Sequence, residues 1–218
     1  MRTNKVCSVS YPGVYAERGL FLCFEGGEGG GKTTQAALLR DWLEASGHEV
    51  LLTFEPGDTA VGQKIRQIVL SPETGHLADE TEALLYAADK AEHLDKVVRP
   101  ALARDAVVVT DRYVDSTLAY QGAGRSVPPA ELERVARWAT GDLRPHLTVL
   151  LDLEPSAGLT RFAGRDRIEG EPLEFHQRVR TAFLELAGRD PVHYLVLDAA
   201  GPIDQIASAI RARVEELL

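Results

Sequence analysis

Five short apolar runs punctuate the chain: 19–25 (GLFLCFE), 49–54 (EVLLTF), 106–111 (AVVVTD), 147–153 (LTVLLDL) and 193–198 (HYLVLD). Four of them are nearly continuous stretches rich in Val and Leu, without clean alternation. A strand with one wetted face alternates, whereas a strand covered on both faces does not, and parallel sheets are built from the second kind. Between the runs the apolar period lengthens to that of a helix. Leu38, Leu39, Trp42 and Leu43 make one apolar face before a stop at Gly47. Asp79 and Glu82 read as a capping-box start to a long amphipathic segment reaching about Arg104. Pro128-Pro129 opens a helix ending near Gly141, Pro172 opens another reaching about Gly188, and Ile206, Ile210 and Val214 share a face of a last one beginning at Pro202. Alternation of strand and helix along the whole chain predicts an α/β architecture, a parallel sheet with right-handed crossovers. With no internal repeat and no Ser/Gly linker, one domain is expected.

Composition narrows the function. A chain of 218 residues suffices for one well-cored domain and is short for two. Its 33 acidic and 24 basic residues give a net charge of −9. That argues against a nucleic-acid polymer or an anionic membrane as partner, and leaves room for a small phosphorylated ligand held by a few local cations. No apolar run approaches the ~20 residues of a membrane span. Cys7 and Cys23 make neither a disulfide framework nor a four-thiolate zinc site, so the chain reads as reduced and cytoplasmic. Residues 1–18 carry Arg2 and Lys5 but no sustained apolar core. They are expected to form a flexible extension, not a secretory signal, ahead of a domain at 19–218.

Directly after the first run comes Gly26-Gly27-Glu28-Gly29-Gly30-Gly31-Lys32-Thr33-Thr34, which fits G-x-x-x-x-G-K-[ST] with Gly26, Gly31, Lys32 and Thr33 in register. Glycines admit positive φ and let successive backbone N–H groups turn inward around phosphate oxygens. The following helix presents free donors and a favourable dipole to the same anion. Lys32 can reach the β- and γ-phosphates, and the Thr33 hydroxyl can ligate Mg²⁺. A glycine-rich turn could match idly, but a strand before and a helix after is the context the motif requires. The nine residues imply a nucleoside triphosphate with Mg²⁺ and leave the acceptor open.

Three further segments look like site. Residues 53–59 (TFEPGDT) leave the second run toward Arg66, at the sheet edge where open α/β folds bind ligands. Residues 111–122 (DRYVDSTLAYQG) leave the third run at the same edge. There Asp111 can order Mg²⁺, Arg112 offers a fork suited to phosphate, and Tyr120 and Gln121 are types that recognise a base or sugar. Arg161, Arg165 and Arg167, interleaved with Gly164, Asp166 and Glu169, suit a lid closing over transferring phosphates. Locally, each segment also reads as an ordinary turn or an exposed charged loop.

In order and spacing, 24–35 (FEGGEGGGKTTQ), EPGDT with Ile65 and Arg66, 80–94 (ETEALLYAADKAEHL), 111–122 and 166–169 (DRIE) resemble the thymidylate kinase family from Gly19 to the C-terminus. The resemblance implies the P-loop nucleoside monophosphate kinase fold: a five-stranded parallel sheet flanked by helices, with a short arginine-bearing lid at about 161–171, usually in a homodimer. It implies the reaction of ATP with dTMP to give ADP and dTDP, with Mg²⁺, on the route to dTTP. By the same resemblance, Tyr86 takes the place of a ring, usually Phe, that stacks on thymine. Lys90 stands where an arginine contacts base and phosphate, and Arg66 and Arg112 match arginines on the acceptor phosphate. Thr117 and Gln121 match thymine contacts, Tyr120 the ring packed on deoxyribose, and Glu28 an acid near the 3′-hydroxyl. Glu55 and Ser116, within matched segments, complete the acceptor set, while Thr33 and Asp111 form the metal set. Lys32 and Arg112 are expected to be catalytic together with a lid arginine, Arg165 or else Arg161, as in the bacterial subtype. Three departures stand out: Phe54 and Asp58 replace the Arg and second Gly of an Arg-Glu-Pro-Gly-Gly pattern, Lys90 lacks a guanidinium fork, and the lid is short. A kinase for another nucleoside monophosphate and a P-loop ATPase or switch remain the alternatives.

Overall fold

The computed structural model describes residues 13–125, 127–161 and 166–218. In chain order the elements are β1 (Leu20–Glu25), α1 (Lys32–Ala45), β2 (Val50–Phe54), α2 (Ala60–Leu70), α3 (Asp79–His93), α4 (Arg99–Leu102), β3 (Val107–Asp111), α5 (Val114–Thr117), α6 (Pro129–Thr140), β4 (Leu147–Asp152), α7 (Pro155–Leu159), α8 (Leu173–Arg189), β5 (Tyr194–Asp198) and α9 (Ile203–Glu215). A π-helical stretch, Leu94–Val98, joins α3 to α4, and a second, Leu118–Gly124, continues α5. The strands form one parallel sheet in the order β2-β3-β1-β4-β5.

Burial on both faces of the sheet follows from the apolar runs. Leu20, Leu22 and Phe24 of β1 point to one side, into a core with Leu39 and Leu43 of α1 and Ile206, Ile210 and Val214 of α9. Phe21 and Cys23 point to the other, against Leu94, Val98, Ala101 and Tyr113, with Phe175, Val179 and Phe183 of α8 continuing that layer. Removing each such side chain from water contributes about 1.5–3 kcal/mol, so β1 anchors the fold through both faces. The edge strands β2 and β5 are only half-buried, because one flank of each lacks a neighbour. All five strands lie where the sequence places them, with ends within one residue.

One expectation is corrected. The capping box at Asp79 does not form: Ala78 is the N-cap and makes no side-chain cap bond, while Glu82 turns inward and is fully buried. Residues 13–18, read as part of a flexible extension, lie against the domain. Val14 N–H donates to the Asp142 carbonyl (3.0 Å), Tyr15 stacks on His193 with centroids 4.7 Å apart, and Arg18 pairs with Asp105. The apolar residues around them are few, so only long-range partners invisible in a local pattern hold this segment.

Candidate active site

β1 delivers the phosphate loop to the C-terminal edge of the sheet, and α1 carries it away. Gly26, Gly29 and Gly31 have φ of 133°, 71° and 84°. A Cβ on Gly26 would overlap the Leu151 carbonyl oxygen of β4, so both conformation and space demand glycine there. Lys32 is buried, and its Nζ donates to the carbonyls of Gly26 (3.1 Å) and Gly27 (2.7 Å). Burial and the neighbouring Arg112 charge pull its pKa below the ordinary lysine value. The Thr33 hydroxyl donates to Asp111 Oδ2 (2.8 Å) at the end of β3. Thr34 follows on the exposed side of the first turn of α1. Among the described residues no group of three or more His, Cys, Asp or Glu side chains could hold a metal ion. The Thr33 and Asp111 oxygens instead suit a hard cation that takes its remaining ligands from phosphate and water.

Arg112 is the hub between the glycine-rich loop and the turn after β3. It sits at φ 73°, a left-handed conformation unusual for a side chain of its size. Its N–H bonds the Phe24 carbonyl (2.9 Å), and its own carbonyl accepts from the Thr110 hydroxyl (2.9 Å). The guanidinium donates to Glu28 Oε1 (2.8 Å), to the Gly26 carbonyl (3.1 Å) and to Ser116 Oγ (3.2 Å), and lies 5.1 Å from the Tyr120 ring centre. Tyr120 also donates its hydroxyl to Glu28 Oε1 (2.7 Å). Burial pushes the Glu28 pKa up, but the charges of Arg112 and Lys32 and the Tyr120 bond outweigh it and hold the carboxyl at about 2. Glu25 goes the other way, raised to about 7 by burial and by Asp115. It accepts from the backbone N–H of Tyr113 (2.8 Å) and Ser116 (3.0 Å) and from the Ser116 hydroxyl (2.6 Å), tying the turn that carries Arg112 to the end of β1.

Beside this hub a cavity of about 160 Å³ opens between α3, α5 and the segment 166–169. All ten residues expected at the acceptor line it: Glu28, Glu55, Arg66, Tyr86, Lys90, Arg112, Ser116, Thr117, Tyr120 and Gln121. A larger depression of about 740 Å³ runs along Arg66, Gln67 and Ile68 to Thr74, but only α2 and the turn after it line it, so groups from several elements do not converge there. Within the cavity Lys90 Nζ lies 2.9 Å from Glu55 Oε2, both side chains buried, and 5.8 Å from the Tyr86 ring centre. His93 Nδ1 reaches Glu55 Oε1 (2.8 Å). Burial raises the Glu55 pKa, yet Lys90 and His93 prevail and keep it below the usual carboxylate range. Arg66 donates to the Pro56 carbonyl (2.8 Å) and stands 5.7 Å over the Phe54 ring, so the residue replacing the expected arginine offers this cation a face. Asp58, the acid gained in the same turn, accepts the Thr53 hydroxyl.

Two buried acids beside the cavity escaped the sequence reading. Glu82 lies on the same stripe of α3 as Tyr86 and Lys90, at four-residue spacing, a polar repeat on a buried face that is itself the missed signal. Its carboxylate accepts from Gln121, Arg125 and Arg167. Asp89 accepts the Gly57 N–H (3.0 Å), and burial and Glu55 raise it to about 6. Of the arginines expected in a lid, Arg161 donates to the Gly29 carbonyl (2.6 Å), in the glycine-rich loop, and Arg167 to the Val69 carbonyl (2.8 Å). Arg165 lies outside the described residues.

Known proteins share this combination of glycine-rich loop, arginine hub and cavity within one family. The family model described as thymidylate kinase matches residues 24–210. The thymidylate kinase of Clavibacter michiganensis is 54% identical over 204 residues, covering 92% of this chain and 96% of its own. That of Cutibacterium acnes is 54% identical over 200 residues, covering 92% and 98%. The crystal structure of thymidylate kinase from Ehrlichia chaffeensis superposes with a TM-score of 0.77 at 27% identity, covering 91% of this chain and 99% of that one. Model, relatives and solved structure agree across nearly the full length, and on that footing the chain belongs to the thymidylate kinase family.

Proposed function

We infer that this protein transfers the γ-phosphoryl group of ATP to the 5′-phosphate of dTMP, giving ADP and dTDP. The observation that carries the reading is the junction at Glu28: a side chain of the donor loop is bonded to both Arg112 and Tyr120 of the acceptor cavity, so the two sites share a wall. An acceptor phosphate oxygen, already anionic near neutral pH, attacks the γ-phosphorus; the new P–O bond forms as the bond to the ADP oxygen breaks. No general base is required, and catalysis reduces to alignment and neutralisation of charge. Arg112 and Arg66 hold the acceptor phosphate, and Arg112 exchanges part of its bonding to Glu28 for that anion. Lys32 leaves the Gly26 and Gly27 carbonyls for the donor phosphates. Thr33 and Asp111 would hold Mg²⁺, which neutralises donor phosphate charge when bound. Arg161, beside the loop, and Arg165 of the lid screen the transferring group. Tyr86 stacks on the base, with Lys90 kept beside it by Glu55.

The same reading places the enzyme in the cytoplasm, on the route to dTTP, as a homodimer. No helix among the described residues is long and apolar enough to cross a membrane. A coupled assay for ADP release tests the activity: turnover appears with dTMP and stays at background without an acceptor. Turnover independent of dTMP identifies an ATPase instead, and a preference for another monophosphate in an acceptor panel identifies a different kinase.

A further inference from the structure

One carboxylate stands behind the cavity wall, bonded to the lining residue Gln121, and takes no part in the transfer. Glu82 is fully buried, and both of its oxygens are engaged. Oε1 accepts from Gln121 Nε2 (2.8 Å) and Arg125 Nε (3.2 Å), and Oε2 from Arg125 Nη2 (3.3 Å) and Arg167 Nη2. Arg125 also pairs with Glu171 (2.6 Å), so two cations and two anions close a compensated cluster. Burial disfavours the charged form of Glu82, but the bonds from Gln121, Arg125 and Arg167 outweigh it and keep the carboxyl ionised. An ionised carboxylate only accepts hydrogen bonds. Gln121 must therefore give Glu82 its amide NH₂ and turn its carbonyl oxygen elsewhere. A flipped amide would set two acceptors against each other with no proton between them. Gln121 lines the acceptor cavity, as does Thr117 one turn earlier, whose Oγ1 is buried with no partner among the described residues.

We propose that Glu82 is a positioning residue for base specificity: by fixing the Gln121 amide, it presents the cavity with an acceptor and so selects a nucleobase whose ring carries an N–H over one with a bare ring nitrogen. The inference rests on the cavity being the acceptor-nucleotide site. Thymine and uracil bear the N3 proton; cytosine has a lone pair there and would leave two acceptors opposed, at the cost of an unsatisfied buried group.

The test is titration calorimetry with dTMP, dUMP and dCMP on wild type and Glu82→Gln, alongside the coupled assay. A glutamine at 82 can donate to the Gln121 carbonyl, so the amide is free to turn. Affinity for dCMP relative to dTMP then rises by about tenfold or more, as one mismatched buried hydrogen bond predicts, while the dUMP to dTMP ratio stays unchanged. A uniform loss across all three ligands, or an unmoved dCMP ratio, overturns the role of Glu82. Wild-type protein that binds dTMP without phosphorylating it defeats the kinase reading and leaves the base selection standing. If Glu82→Gln fails to fold, the ligand-free wild type decides. Its Gln121 side-chain amide protons, assigned by NMR from their loss in Gln121→Glu, exchange slowly before any nucleotide is added. Fast exchange that slows only on adding dTMP overturns the proposal.

Discussion

Lys32 bonds two loop carbonyls that no phosphate-binding scheme needs it to hold, so its bonds to the donor phosphates replace existing ones at little cost in ordering. Lys32→Ala removes a preorganised donor from the transferring group. Turnover should fall by roughly 10²–10³, the ~2.7–4 kcal/mol that one such donor supplies, and steady-state kinetics on a variant with unchanged circular dichroism measures it. Tyr120 works through shape and through its bond to Glu28. Tyr120→Ala should narrow the preference for deoxyribose over ribose monophosphates, and comparing kcat/KM for dTMP with that for its ribose counterpart reads this out. Tyr120→Phe, which keeps the ring, should leave the preference in place. The departures also resolve at this scale. Phe54 faces Arg66, Lys90 is matched by Glu55, and Asp58, which takes the Thr53 hydroxyl, is not among the residues lining the cavity.

At the scale of elements, the strand ends place the chemistry: Glu25 ends β1 and Asp111 ends β3, with Phe24 paired to Asp111 across the ladder. Gly26→Ala tests how tightly this edge is built. The added methyl meets the β4 carbonyl at a φ of 133°, and a loss of about 1–3 kcal/mol is expected from the backbone conformation alone, measurable by urea unfolding. The β-runs were legible because central parallel strands are apolar on both faces, and the helices at Pro129 and Pro202 because proline stands at the first helical position or just before it. α2 was not read, although Thr59 caps it by accepting the Gly62 N–H (2.8 Å); the cap is hidden inside a turn that already looked functional. The ten residues expected at the acceptor, which line one cavity, stood out through their motifs, whereas the Glu82 cluster did not. Its bonds span 39 to 85 positions, so the four-residue repeat of Glu82, Tyr86 and Lys90 marks a face of the helix while the arginines that hold the carboxylate stay hidden from any local pattern.

For the whole molecule, a chain with net charge −9 brings Arg66, Lys90 and Arg112 to one cavity among the carboxylates Glu28 and Glu55, and such buried carboxylates couple stability to pH. Glu25 and Glu28, three residues apart, are displaced in opposite directions from 4.5, to about 7 and about 2. For Glu25 the folded state binds the proton more tightly than the unfolded one. Its contribution is therefore full below pH 4.5 and lost as pH rises toward about 7. For Glu28 the folded state prefers the anion, so its contribution is full above pH 4.5 and lost as pH falls toward about 2. Each displacement corresponds to roughly 3 kcal/mol across its window. The stability difference between wild type and Glu25→Gln, from urea midpoints at stepped pH, should thus shrink on the alkaline side of 4.5. The difference between wild type and Glu28→Gln should shrink on the acid side. Taking differences against each variant cancels Asp89, Glu55 and the other acids that do not interact with the substituted group. A flat difference for Glu25→Gln between pH 4.5 and 7 would mean that this carboxyl titrates normally in the fold and does not hold the Arg112 turn as a buried acid.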